Sequence, residues 1–180
     1  MCTLLVWKHQ HPRFGLIAAA NRDEFLARPA TPPIALDDEP LVIGGRDATA
    51  GGSWFAVNER GIVVAVTNRR GAGAHDPSRR SRGRLVAEVA RSVTFAQALA
   101  TLEGVDAREY NPFVLFVGGA DEAVALHGGD DGAKLTRVAD GAHAITNWDL
   151  DAIEPAKAAR ALDIARGLRG FDRVEIPVRD

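Results

Sequence analysis

The stretch MCTLLVWKHQHPRFGLIAAANRDEF, residues 1–25, decides the fold. Two apolar runs, CTLLVWK (2–8) and FGLIAAA (14–20), flank the polar turn His9-Gln10-His11-Pro12-Arg13, a pattern that predicts a β-hairpin. The first run is apolar on both faces, so its strand needs cover on both sides. Pairing Lys8 with Phe14 across the turn sets Cys2 opposite Ala20, beside Asn21-Arg22-Asp23-Glu24. A thiol then meets a polar, charged cluster at a strand end, and Arg22 is the kind of partner that stabilises a thiolate.

Working outward, Ser53 to Asn58 and Ile62 to Asn68 predict a second hairpin across Glu59-Arg60-Gly61. Pairing Val57 with Ile62 sets Asn68 opposite Gly51-Gly52, glycines that let a ligand or another backbone approach closely. Four further strands are expected at 113–117, 123–126, 135–138 and 142–146, mostly as continuous apolar runs. Helices are expected at 84–91, at 95–103 behind a Thr94/Gln97 capping box, and behind an Asp151/Glu154 capping box to about Leu168, with Gly170 as a stop. Pro29 to Pro40 holds four prolines and reads as an irregular loop. With no repeat or linker, residues 1–180 are expected to form a single domain, a layered α/β or α+β sandwich with helices over doubly covered sheets.

Composition narrows the function. Of the 180 residues, 46% are hydrophobic and 26% charged, an ordinary globular balance. The single cysteine excludes an internal disulfide and a cysteine-based metal site. A net charge of −2 gives no global pull toward nucleic acid. No apolar run approaches the length that spans a bilayer, so no stable membrane insertion is expected. The first residues lack the features of a signal peptide, and a cytoplasmic location is expected. His9, His11, His75, His127 and His143 show no helical metal-ligand spacing, and the loop after Asn68 lacks a dinucleotide fingerprint, so neither a metal nor a cofactor is expected. Arg69, Arg70, Arg79, Arg80, Arg82 and Arg84 are expected to form a solvated face rather than a site for an anionic substrate tail.

Methionine aminopeptidases remove Met1 when the next residue is small, as Cys2 is. The freed α-amine, with a reference pKa of about 7.7 to 8.0, can serve as base for the cysteine's own side chain. Asn68 and Asn147 each end an apolar strand, and an asparagine amide there is a fixed, uncharged donor for a developing oxyanion.

The motifs MCTLLVW, AANRDEF, GGSWFAVNERGIVVAVTN, SRGRLV, YNPFVLFVGG and HAITNWDLD resemble the NRDE family, also called the transport and Golgi organisation family. The naming tetrapeptide is Asn21-Arg22-Asp23-Glu24. The resemblance runs from residue 1 to about 160 and implies an α+β fold, the four-layer αββα sandwich of N-terminal nucleophile hydrolases. It implies a hydrolase of a linear amide or thioester of a small acyl or lipid-like substrate, an amidohydrolase with Cys2 as nucleophile. Arg22 and Asp23 would support Cys2, with Glu24 the alternative acid; Asn68 would bear the oxyanion, and Asn147 would orient the amine or substrate. Asn21, Glu24, Trp54, Arg69 and Trp148 are the expected substrate-binding residues, the tryptophans as pocket wall. The alternative is a non-catalytic carrier, in haem trafficking or for an acyl-coenzyme A or lipid ligand. Family members usually continue into strands with an Arg-Ser-Ser motif, which this chain lacks, so the C-terminal end of the sandwich is where the expectation stays open.

Overall fold

In the computed structural model, which describes residues 2–25, 27–70, 75–154 and 156–168, the first hairpin forms with a changed register. In chain order the elements are β1 (Thr3–Lys8), β2 (Leu16–Asn21), β3 (Ala30–Asp38), β4 (Leu41–Asp47), β5 (Phe55–Asn58), β6 (Val63–Asn68), α1 (Arg82–Ala90), α2 (Phe95–Glu103), a 3-10 turn (Ala107–Glu109), β7 (Phe113–Gly118), β8 (Ala123–Gly129), β9 (Gly132–Arg137), β10 (Gly141–Ile145) and α3 (Ala156–Gly167). Lys8 pairs with Leu16 rather than Phe14, and the ladder ends at Thr3 with Asn21. The loop is longer than predicted because His9 adopts a left-handed backbone, φ 51°, and donates its amide to the Gly15 carbonyl at 2.7 Å. Phe14 is left outside the strand and 44% exposed. Because the shift is even, each side chain keeps its predicted face. Cys2, however, moves from the level of Ala20 to that of Arg22, one step beyond the last pair.

The second hairpin slips by an odd step: Val57 pairs with Val63, not Ile62. Gly61 at φ 77° closes a three-residue loop, and the Asn58 side-chain oxygen accepts from the Arg60 and Ile62 amides, each at 3.0 Å. This is the type of turn in which a left-handed glycine forms a bulge. Pro29 to Pro40 is mostly not an irregular loop, since it contains β3, paired with β4. Pro32 and Pro33 are tolerated because β3 is the edge of its sheet, where missing amide donors and bulges do little harm. β4 was hidden by Gly44-Gly45, which interrupt its apolar pattern.

The strands make two antiparallel sheets, β10-β1-β2 and β3-β4-β5-β6-β7-β8-β9. Phe113, Leu115 and Val117 of β7 pack with Leu85, Val89 and Leu102 of α1 and α2. Val114 and Phe116 point the other way, onto Leu4, Val6 and Ile145 of the small sheet. That double burial explains the unbroken apolar run of β7. On the outer side of the small sheet, Ala144 and Leu5 pack on Ala161 and Leu162 of α3. The layers are therefore α, β, β, α, the N-terminal nucleophile hydrolase arrangement.

The Thr94 cap of α2 is present, its hydroxyl accepting from the Gln97 amide at 3.1 Å. The Asp151/Glu154 capping box is not, because α3 begins only at Ala156. Asp151 is committed elsewhere: its carboxylate binds the Ala144 amide at 2.9 Å and His143 Nδ1 at 2.6 Å. Gly170 lies outside the described residues. Among them, no helix is long and apolar enough to cross a membrane.

Candidate active site

A cavity of about 400 Å³ opens where the start of β1, the end of β2, the β4–β5 connection, the end of β6 and the start of α1 meet. Cys2, Arg22, Asp23, Glu24, Trp54 and Asn68 all line it, so the structure brings together six of the residues expected from sequence. Gly51 and Gly52 have φ of 69° and 79°, values that favour glycine. What they admit is another backbone: the Ser53 amide donates to the Gly83 carbonyl at 2.9 Å, and a Cβ on Gly52 would lie 2.1 Å from that oxygen. This contact seats the first turn of α1 on the cavity wall.

Arg82, in that turn, donates to the Pro112 carbonyl at 3.0 Å and has no carboxylate within ion-pair distance among the described residues. Burial and then the neighbouring Arg28 charge press its pKa down, while Cys2 and Glu24 are near enough to act against that. Arg82 and Cys2 thus line the same cavity.

Arg22 Cζ sits over the Trp54 ring, 4.4 Å from its centre, and its Nη2 approaches Asp47 at 3.7 Å. That nitrogen is buried and makes no hydrogen bond among the described residues. Arg28 binds Asp47 Oδ2 through Nε at 2.9 Å and Nη2 at 2.8 Å. The other Asp47 oxygen accepts from the Thr49 and Ala50 amides at 2.9 and 3.1 Å. Burial raises the Asp47 pKa, but those amides and Arg28 outweigh it and hold the carboxyl below the ordinary range. The two candidate acids diverge: Asp23 binds Lys157 of α3 at 2.9 Å and is lowered chiefly by it, whereas Glu24 lies 3.6 Å from Arg28 and acts on Arg82.

Asn21, Arg69, Asn147 and Trp148 are not on this wall. Asn21 donates to Asp23. Asn147 is buried behind Asn68 and donates to its carbonyl at 2.6 Å, positioning the strand end rather than meeting the cavity. Trp148 lies under Arg70, 5.0 Å from ring to guanidinium. Arg69 pairs with Asp149 at 2.6 Å beside a separate cavity. The arginine-rich segment departs from the solvated face expected for it, because Arg79, Arg80 and Arg82 line the cavity. Arg79 is anchored on Asp130 at 2.6 Å and Arg80 on Glu109 at 2.6 Å.

The sequence reading passed over Arg28 and Asp47 and placed Arg82 on a solvated face. Asp47-Ala48-Thr49-Ala50 carried a turn signal, an aspartate able to bind amides two and three residues on. Gly83 inside the first turn of a helix marked a close backbone approach. Among the described residues, no three His, Cys, Asp or Glu side chains converge as metal ligands would.

Two solved structures share this architecture. A Caenorhabditis elegans ortholog of N-acylethanolamine-hydrolyzing acid amidase superposes with a TM-score of 0.65 at 14% identity, covering 100% of this chain and 88% of that one. A C2A mutant of conjugated bile acid hydrolase from Clostridium perfringens gives 0.55 at 11% identity, over 79% and 53%. At such identities the likeness is one of fold. Among sequences, the Mus musculus Transport and Golgi organization 2 homolog is 37% identical over 76 residues, 41% of this chain and 27% of that protein. The Bos taurus Transport and Golgi organization protein 2 homolog is 32% identical over 105 residues, 57% and 38% respectively. The matches thus span well under half of these curated relatives. The family model described as Transport and Golgi organisation 2 matches residues 1–165, and the chain belongs to that family.

Proposed function

We propose that the chain hydrolyses a linear amide or thioester of a small acyl substrate, with Cys2 as nucleophile. The observation that carries this reading is that Cys2 and Arg82 line one cavity, Arg82 having no carboxylate within ion-pair distance among the described residues. Once Met1 is removed, the Cys2 α-amine takes the thiol proton as Sγ attacks the substrate carbonyl. Negative charge gathers on the carbonyl oxygen, where the Asn68 amide donates to it, and Arg82 supplies positive potential. The tetrahedral intermediate collapses, the proton passes to the leaving amine or thiol, and a thioester remains on Cys2. Water, deprotonated by the same α-amine, attacks that thioester; the C–S bond breaks, the carboxylic acid departs and the α-ammonium returns its proton to Cys2 Sγ. Asp47 and Arg28 hold Arg22 against Trp54, and Glu24 balances the arginine cluster.

A carrier reading has its own support in Arg79, Arg80 and Arg82, which suit an anionic ligand held without reaction. Turnover of N-acylethanolamines and acyl-coenzyme A thioesters separates the two. Hydrolysis lost in Cys2→Ala supports the enzyme. A stoichiometric Soret shift with haem, with no turnover of either substrate class, supports the carrier.

A further inference from the structure

A second cavity, of about 410 Å³, backs onto the first: Asn68 lines one and the next residue, Arg69, lines the other. Its floor is one face of the β8–β9 edge, where His127 and Lys134 are direct cross-strand partners and Thr136, two residues on, shares their face. Arg69, Asp149 and Leu150 close it from β6 and the segment after β10, and Asp131 stands in the β8–β9 turn. The His127 side chain is only 9% exposed. Its Nδ1 is engaged by Asp149 at 3.1 Å, and its Nε2 has no partner among the described residues.

The Arg69–Asp149 pair is bidentate, Nε at 2.6 Å and Nη2 at 3.3 Å. Arg69 Nη1 is left over and reaches toward Gly129, whose Cβ position would be 3.7 Å away. Burial above all disfavours a charged His127, Asp149 opposes it, and Arg69 and then Lys134 add smaller contributions on the side of burial. Two cations therefore bear on a buried imidazole whose outer nitrogen is unpaired.

We propose that this cavity binds a small tetrahedral dianion, inorganic sulfate or the dianionic phosphate group of a monoester. Arg69 Nη1, Lys134 Nζ, the Thr136 hydroxyl and a protonated His127 Nε2–H donate to it. Asp149 fixes the ring and Arg69, and Asp131 at the turn bounds the site toward solvent. An anion seated there offsets both cations, so His127 takes up a proton on binding, and affinity rises as pH falls.

The test follows the histidine ring nitrogens by NMR in the full chain during titration with inorganic sulfate, whose charge is constant over the range used, and with inorganic phosphate. Sodium chloride at matched ionic strength is the control. The expected result is a saturable shift of His127 toward imidazolium, tighter at about pH 5.5 than at about pH 8, on either side of the ordinary histidine value. Lys134→Gln, at an exposed position, should weaken sulfate roughly tenfold, the worth of a charge-assisted hydrogen bond, with the rest of the spectrum unchanged. A response equal to that of chloride, or identical in Lys134→Gln, overturns the site. Phosphate active and sulfate inert at every pH would overturn the dianion chemistry.

Discussion

Asp47 ties the candidate active site together, and replacing it gives a quantitative test of that architecture. Its side chain is 14% exposed, accepts a hydrogen bond from Arg28 Nε at 2.9 Å, lies 2.8 Å from Arg28 Nη2 in an ion pair and accepts two bonds from the Thr49 and Ala50 amides. Asp47→Ala leaves a half-buried Arg28 without its partner, removes the charge beside Arg22 and frees two turn amides. Charge-assisted bonds to a partly exposed group, discounted for solvent, together with two amide bonds amount to about 3 kcal/mol. Asp47→Asn keeps an oxygen for the amides and should lose about 2 kcal/mol. For a chain of this size the alanine variant should melt roughly 6 to 12 °C lower. Urea unfolding followed by circular dichroism measures both. The folded carboxyl titrates below its unfolded value of about 3.9, so its contribution is fully present above that value and fades as pH falls through the folded one. Wild type and Asp47→Asn should therefore converge in acid. An Asp47→Ala loss under about 1 kcal/mol at neutral pH, or a gap that persists in acid, would refute this reasoning.

His143 offers the opposite pH dependence. Its ring meets Asp151 at 2.6 Å and the Ala139 carbonyl at 2.9 Å, and the Asp151 bond above all raises its pKa despite burial. Its stabilisation is present below about 6.5 and is lost as pH rises through the folded value, so the gap to His143→Asn, about 1 to 2 kcal/mol in mild acid, should shrink toward alkaline pH in denaturant melts. Gly52→Ala combines φ 79° with a backbone clash and should lose at least about 2 kcal/mol, along with the seating of α1. Gly61→Ala, with φ 77° and nothing within 4 Å, should lose only about 1 kcal/mol in the same unfolding assay. Equal losses for the two glycines would mean that the Gly52–Gly83 contact contributes nothing.

The layer order was legible because β7 and β1 are apolar on both faces, and only cover from two sides accounts for that. The N-terminal site was legible because Cys2 and the Asn21–Glu24 turn share one hairpin. Registers were less so: His9 took a left-handed conformation that no glycine announced, and Gly61 took another that closed a three-residue loop. β3 was masked by prolines that are harmless only at a sheet edge, a property of the finished sheet. Asn147, Arg69 and Trp148 follow strand ends as Asn68 does, yet tertiary packing turned them behind the wall or onto another cavity. Arg82 was placed on a solvated face because its seat on the cavity wall depends on the Gly52–Gly83 contact, which joins segments far apart in sequence; Asp47 was passed over because its partner Arg28 comes from another segment.

The mass of the intact protein before and after incubation with an acyl-coenzyme A or N-acylethanolamine substrate tests Cys2 catalysis most directly. The proposed mechanism requires a chain that begins at Cys2 and a transient adduct of one acyl group, mapped to Cys2 and absent from Cys2→Ala. A chain that retains Met1 and still hydrolyses substrate, or hydrolysis that survives Cys2→Ala, would contradict it.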